Sequence, residues 1–207
     1  MIITYQGMQS FKVQFGETVL AFDPVSKDSK LKSGSFGANI ALVSNNHEDM
    51  NGVDQASRGE KQAFVINSPG EYEVNGVFVK GLASKTNYGS NERINTIFYV
   101  NLEGMNLCFL GALGDVSLSA EAKGAIENVD ILFAPISGEG VLNPSEAYKL
   151  AVSLEPSIII PMNYDEKSLK AFLKEGGGEG KPIDKLTVKK KDLDGKESEI
   201  VVLDFQG

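Results

Sequence analysis

The chain of 207 residues has no tryptophan, one cysteine and one histidine. The single cysteine, Cys108, excludes an internal disulfide and suits a reducing compartment. It sits between Leu107 and Phe109 in NLCFLGALG, the setting of a small core hydrophobe rather than a nucleophile. With one histidine, His47, a metal site built mainly on imidazole is out of reach. No run approaches the ~20 apolar residues that cross a bilayer. The opening MIITYQGMQSFKVQFG lacks the basic stretch and long apolar run of a signal peptide, so the expectation is a soluble, cytoplasmic protein. Basic residues are also in deficit, 20 against 28 acidic, for a net charge of −8. That balance argues against nucleic acid or an anionic membrane as partner. A small molecule, a protein or further copies of the chain stay open.

What the chain does have is apolar patterning. At 42% hydrophobic it can bury a substantial core, read as one domain over 1–207. MIITYQ, SFKVQF and TVLAFDP alternate or run apolar, with FGET as a tight turn. NIALVS is a continuous apolar run, as in a strand covered on both faces. KQAFVINSP, GEYEVNG and VFVKGLA follow, and RINTIFYVNLEG with MNLCFLG forms a hairpin turning at Glu103–Gly104. This half reads as mostly antiparallel.

Beyond it, SLSAEAKGAIENV reads as a helix and DILFAPIS as a buried strand. NPSEAYKLAVSLE is a helix capped by Asn143, with Pro144 in the first helical position and Glu146 three residues after the cap. PSIIIPMNY is a strand, and DEKSLKAFLKEGG a helix capped by Asp165. GGGEGKP lacks a Gly-Lys-Ser/Thr ending and reads as a loop rather than a phosphate cradle. DKLTVKKKDLDGKESEIVVLDF reads as a closing hairpin turning at Asp194–Gly195, with Lys189–Lys191 on a solvated strand edge. Two β-rich halves with helices outside give an α+β, four-layer α/β/β/α sandwich.

Several of these segments, in this order, resemble the metallo-β-lactamase fold superfamily. The nearest branch is that of zinc-dependent hydrolases including ascorbate-6-phosphate lactonase-like proteins. The resemblance is carried by ITYQGMQSFKVQFGETVLAFDP with its Asp23–Pro24 ending, ALVSNNHEDMNGV, NSPGEYEVNGVFVKGL, INTIFYVNLEGMNLCFLGALGD and IIIPMNY. It implies the same sandwich and, in the family, a dinuclear metal centre. The family's His-x-His-x-Asp-His turn corresponds to Asn45, His47, Asp49 and Met50. Its His-Leu-Gly-Asp-Leu-Gly run corresponds to Phe109 through Gly114, so Phe109 replaces a histidine and Ala112 the bridging carboxylate. A last histidine after Ile-Pro-Met is Asn163, and an early one after Gly7 is Met8.

Of the implied ligands, His47 and Asp49 remain, with Asp115 as a further carboxylate expected near the cleft. Zinc activates its bound water by lowering that water's pKa toward ~7, which this donor set is poorly equipped to support. The first expectation is a binding or regulatory module with no metal cofactor. In it, Asn45, His47, Asp49, Asp115 and Asn163 hydrogen-bond one another and the turn backbone, with His47 paired to Asp49 or Asp115. The alternative is a hydrolase of a small ester, lactone or phosphoester. It would use a single divalent cation, Mg, Mn, Ca or Zn, held by His47, Asp49 and Asp115, with Asp49 as general base. A structural subunit of a homo-oligomer is a third. Ser44 could complete a Ser-His-Asp set, but no nucleophile elbow surrounds it.

Overall fold

A computed structural model describes residues 1–31, 33–59, 62–178 and 180–206. Lys61, in the fifth strand segment, and Glu179, in the glycine-rich loop, lie outside the described residues. The first sheet is built on β1 (Ile2–Gly7), β2 (Ser10–Phe15), β3 (Thr18–Phe22), β4 (Ile40–Leu42) and β5 (Phe64–Ile66). The second runs through β6 (Gly70–Val74), β7 (Val77–Thr86), β8 (Arg93–Leu102), β9 (Met105–Phe109), β10 (Ile131–Pro135) and β11 (Ile158–Met162). Alternation puts one row of side chains between the sheets. Phe11 and Val13 of β2, Leu107 and Phe109 of β9 and Ile131 and Phe133 of β10 all enter that layer. Phe11, Phe22, Phe109 and Phe133 meet there with ring centroids 4.8 to 5.8 Å apart. Each such buried ring contributes roughly 1.5–3 kcal/mol.

The opposite face of the second sheet carries Cys108, Leu132, Ala134 and Ile159 under three helices. These are α1 (Ala120–Ala125), α2 (Pro144–Ser153) and α3 (Glu166–Glu175). Asn143 and Glu146 close the capping box of α2, and Asp165 caps α3 by accepting from Ser168 N at 2.7 Å. α1 is shorter than its apolar pattern predicts, with Ser119 as cap and Gly124 inside its last turn. Over the first sheet the outer layer is a 3-10 turn at Val53–Ala56 with Phe36, Ala38, Ala56 and Ala63 packed on Val19, Ala21 and Ala41. The α+β sandwich expected from the sequence is the fold, with its second outer layer made of loop and 3-10 turn.

The first half is mostly antiparallel, as its sequence indicates, with two parallel pairings inside it, β3 with β4 and β4 with β5. Their connections are long crossovers rather than hairpins, and only crossovers can return a strand in the same direction. One expectation needs correction: the closing segment is not a hairpin. β12 (Leu186–Thr187) pairs antiparallel with β1, whereas β13 (Glu199–Ile200) pairs in parallel with β11 of the other sheet. Between them a 3-10 turn at Lys190–Leu193 crosses the end of the sandwich, because Val188, Leu193 and Leu203 all sink into the inter-sheet core. The lysine run is thus no strand edge, and Lys190 Nζ reaches the buried Asp130 carboxylate at 2.6 Å.

Candidate functional site

The carboxyl ends of β1, β4, β9 and β11 lead into the positions that the sequence resemblance equates with ligands, and that of β3 leads into Asp23. Asp23, just past β3, is fully buried and left-handed at φ 40°. Its carboxyl accepts from Ser44 N at 2.7 Å and Ser44 Oγ at 2.6 Å. Burial pushes Asp23 up to about 8 against those two hydrogen bonds, which pull it down. The turn after β4 is then docked on the loop after β3, with Ser26 N donating to Glu48 O and Gly52 N to Pro24 O. A Cβ at Gly52 would lie 2.3 Å from the Val25–Ser26 backbone, so the contact requires glycine. Thr96 N donates to Ser44 O, and the buried Asn95 accepts from Ala112 N at 2.7 Å, tying the turn and the 111–112 loop to β8.

Inside this frame the side chains divide into a polar clamp and an apolar plug. The clamp centres on Asp49, which accepts from the Ser29 hydroxyl and, at 2.7 Å, from the Tyr88 hydroxyl. His47 Nδ1 lies 3.4 Å from Asp49 Oδ2 and accepts from Asp49 N at 3.2 Å, so the imidazole proton belongs on Nε2. Of the two partners expected for His47, Asp49 or Asp115, the one in contact is Asp49. The His47 ring meets Tyr88 edge-on at 5.0 Å, and a Cβ on Gly89, whose φ is 72°, would come within 3.0 Å of Nε2. The Tyr88–Gly89 segment therefore lies directly over the histidine. Burial first, then Asp49, holds the Tyr88 hydroxyl above the usual phenol range.

The plug is Met50, Ala112 and Val141, all buried, with Met8 and Tyr88 packed against them. Positions 8, 50 and 112, which the sequence resemblance equates with ligands, thus meet as apolar side chains. Asn163, left-handed at φ 50°, donates its N–H to Met8 O at 2.7 Å and so closes the same cluster from β11. Asn45 donates to Ile94 O at 3.2 Å. Yet Asn45 Oδ1 and Asn163 Nδ2 are buried without a partner, as are both polar atoms of Gln9, next to Met8. Of the expected hydrogen bonding, His47 takes a bond from the turn backbone at Asp49, while Asn45 Oδ1 and Asn163 Nδ2 stay unpaired.

Two candidate residues fall elsewhere. Phe109 does not face the cleft: on β9 it shares the inward row with Met105 and Leu107, and it packs 4.9 Å from Phe22 between the sheets. Strand alternation decides this, since Cys108 takes the other face. Asp115 is fully exposed, and its carboxylate accepts from Ser117 N at 2.7 Å, which holds it below the usual carboxylate range. It belongs to the turn that leads into α1, not to the cation set with His47. Among the described residues, no group of three or more His, Cys, Asp or Glu could hold a metal ion. A dinuclear zinc centre does not fit this cleft: apolar side chains pack where donors would be needed. Sequence reading missed Ser29, Tyr88, Asn95 and Val141, which reach the site from separate loops and strands and carry no local motif.

Comparison with known proteins agrees with the fold. The family described as the Beta-lactamase superfamily domain matches residues 2–163. A UPF0173 metal-dependent hydrolase of Lysinibacillus sphaericus is 25% identical over 195 residues, covering 80% of this chain and 86% of its own. One from Bacillus cereus is 23% identical over 199 residues, with the same shares covered. Among solved structures, a Thermotoga maritima protein assigned to the Zn-dependent hydrolases of the metallo-beta-lactamase superfamily is similar at a TM-score of 0.80. It is 27% identical, and the match covers 99% of each chain. No helix among the described residues is long and apolar enough to cross a membrane. With the strand order, the buried Asp23 under the Ser44 turn and a family match over most of its length, this chain belongs to the metallo-β-lactamase superfamily.

Proposed function

We propose that this protein is a ligand-binding or regulatory module on the metallo-β-lactamase fold, working without the dinuclear metal centre. One observation carries the reading: Met8, Met50 and Ala112 pack together with Val141 and Tyr88 where the family places metal donors. Asp49 supports it, because the Ser29 and Tyr88 hydroxyls already occupy its two carboxylate oxygens. A carboxylate held in this way is a poor general base, since a proton transfer would first have to break those bonds.

The relatives' names favour a second reading, a metal-dependent hydrolase of a small ester, lactone or phosphoester. Here a single cation would have to rest on His47, Asp49 and water, a thin donor set better matched to Mg or Mn than to zinc. Elemental analysis of protein purified in metal-free buffer separates the two, together with ester and phosphodiester turnover in the presence of Mg, Mn or Zn. The binding reading expects substoichiometric metal, a melting temperature indifferent to chelator and no metal-stimulated turnover. Stoichiometric metal, or turnover abolished by Asp49→Asn, would establish the hydrolase instead.

A further inference from the structure

A groove of about 580 Å³ opens beside the plug, sharing Met8 with it. Tyr5, Tyr164 and Phe205 line it, together with Leu31 and Leu203. Tyr5 and Tyr164 stack at 6.1 Å with their planes 22° apart, and Tyr5 is fixed by donating its hydroxyl to Met8 O. Leu31 and Phe205 are 42% and 47% exposed, with Ile183, 42% exposed, beside the lining residue Pro182. Large apolar side chains are thus held out in water around a concavity, the surface pattern of a binding groove.

The charges on this groove have one sign. Asp165, Glu166 and Asp204 line it, and no basic residue does so among the described lining residues. Two of the three are already engaged, Asp165 as the cap of α3 and Glu166 with Lys170 at 2.7 Å. Asp204 enters none of the ion pairs among the described residues. It lines the groove together with Tyr164, whose hydroxyl is pushed up to about 12 by burial first and then by the Asp204 charge.

We propose that this groove binds an organic cation with an apolar body, an aryl- or alkylammonium. The hydrocarbon lies on Tyr5, Leu31 and Phe205, and the ammonium sits between the Tyr164 ring face and the Asp204 carboxylate. An anion is disfavoured by all three carboxylates, and a neutral hydrocarbon gains nothing from them. Aromatic faces attract cations through their quadrupole, and a neighbouring carboxylate adds a direct charge contact. The assignment deepens the binding reading of the cleft and rests on it, since it gives that reading a ligand class.

The test is calorimetric titration of the full chain with 2-phenylethylammonium, and with 3-phenylpropanoate as an anionic counterpart of similar size. The cation is expected to bind at least about tenfold more tightly than the anion. Asp204→Asn should weaken the cation about tenfold, whereas Glu121→Gln, an equal charge change on α1, should not. Tyr164→Leu, which keeps an apolar wall and removes the ring face, should weaken the cation more than it weakens neutral ethylbenzene. Equal binding of cation and anion, no heat with the cation at ~10 mM, or equal losses in the Asp204 and Glu121 variants would overturn the assignment. Elemental analysis tests the parent reading separately: metal in the cleft with selective cation binding would sink that reading alone.

Discussion

Tyr88 donates its hydroxyl to Asp49 across 2.7 Å, joining two loops that lie 39 residues apart in the chain. With Ser29 on the other carboxylate oxygen, the side chain most suited to ligate a cation becomes a three-loop fastener. Removing the Tyr88 hydroxyl should therefore loosen the cleft rather than abolish a reaction. Tyr88→Phe keeps the ring against Met50 and His47 and should cost about 1–2 kcal/mol of stability. Urea unfolding at neutral pH checks this, and a loss below a few tenths would show the fastener to be idle.

Restoring donors asks whether the backbone still suits a metal. Changing Met8, Asn45, Met50 and Asn163 to His and Ala112 to Asp should raise divalent-metal uptake from substoichiometric to at least ~1 per chain, measured by elemental analysis. Phe109 is left alone in this set. A Phe109→His substitution would put an imidazole between Phe22 and Phe133 and should lower stability by about 3 kcal/mol or more without adding metal. Equal uptake with and without Phe109→His is the expected result, and higher uptake with it would contradict the placement of Phe109 in the core.

Asp23 gives the fold a pH signature. Its carboxyl is held up to about 8 in the folded protein, against an ordinary value of 3.8, so the native state keeps a proton that the unfolded chain releases first. The resulting stabilisation is fully present below about pH 4 and is lost progressively as pH rises through about 8. Asp23→Asn, a neutral isostere, lacks this slope. The difference in unfolding free energy between variant and parent should therefore shift toward the variant between pH 5 and pH 8.5. A difference independent of pH would place Asp23 ionised in the native state.

Cys108 should behave as a core side chain. Its thiol is fully buried between β8, β10 and the helical layer, and burial alone pushes it up to about 12. Labelling by a thiol reagent at pH 8 should follow global unfolding, accelerating with denaturant as the unfolded population grows. Fast labelling of the native protein would mean that the helical layer opens locally.

Much of the fold was written locally. The alternation through β1, β2, β8 and β9, the Glu103–Gly104 turn and the Asn143 and Asp165 caps each need only near neighbours, and each forms as the sequence indicates. The closing segment was misread for the same reason. Its Asp194–Gly195 pair is a sound turn signal, but the strands on either side found partners in different sheets, β1 and β11, whose open edges lie far away in sequence.

The amino-acid sequence alone determined the donor inventory: one imidazole, and methionine, alanine and asparagine at positions where the family resemblance calls for ligands. No folding can change that count. Tertiary structure decided what those side chains do together. It turned Phe109 into the core, left Asp115 in solvent, brought Val141 and Tyr88 onto Met50, and spent Asp49 on two hydroxyls. Chemical identity is fixed residue by residue, whereas proximity depends on how strands distant in sequence pair and pack.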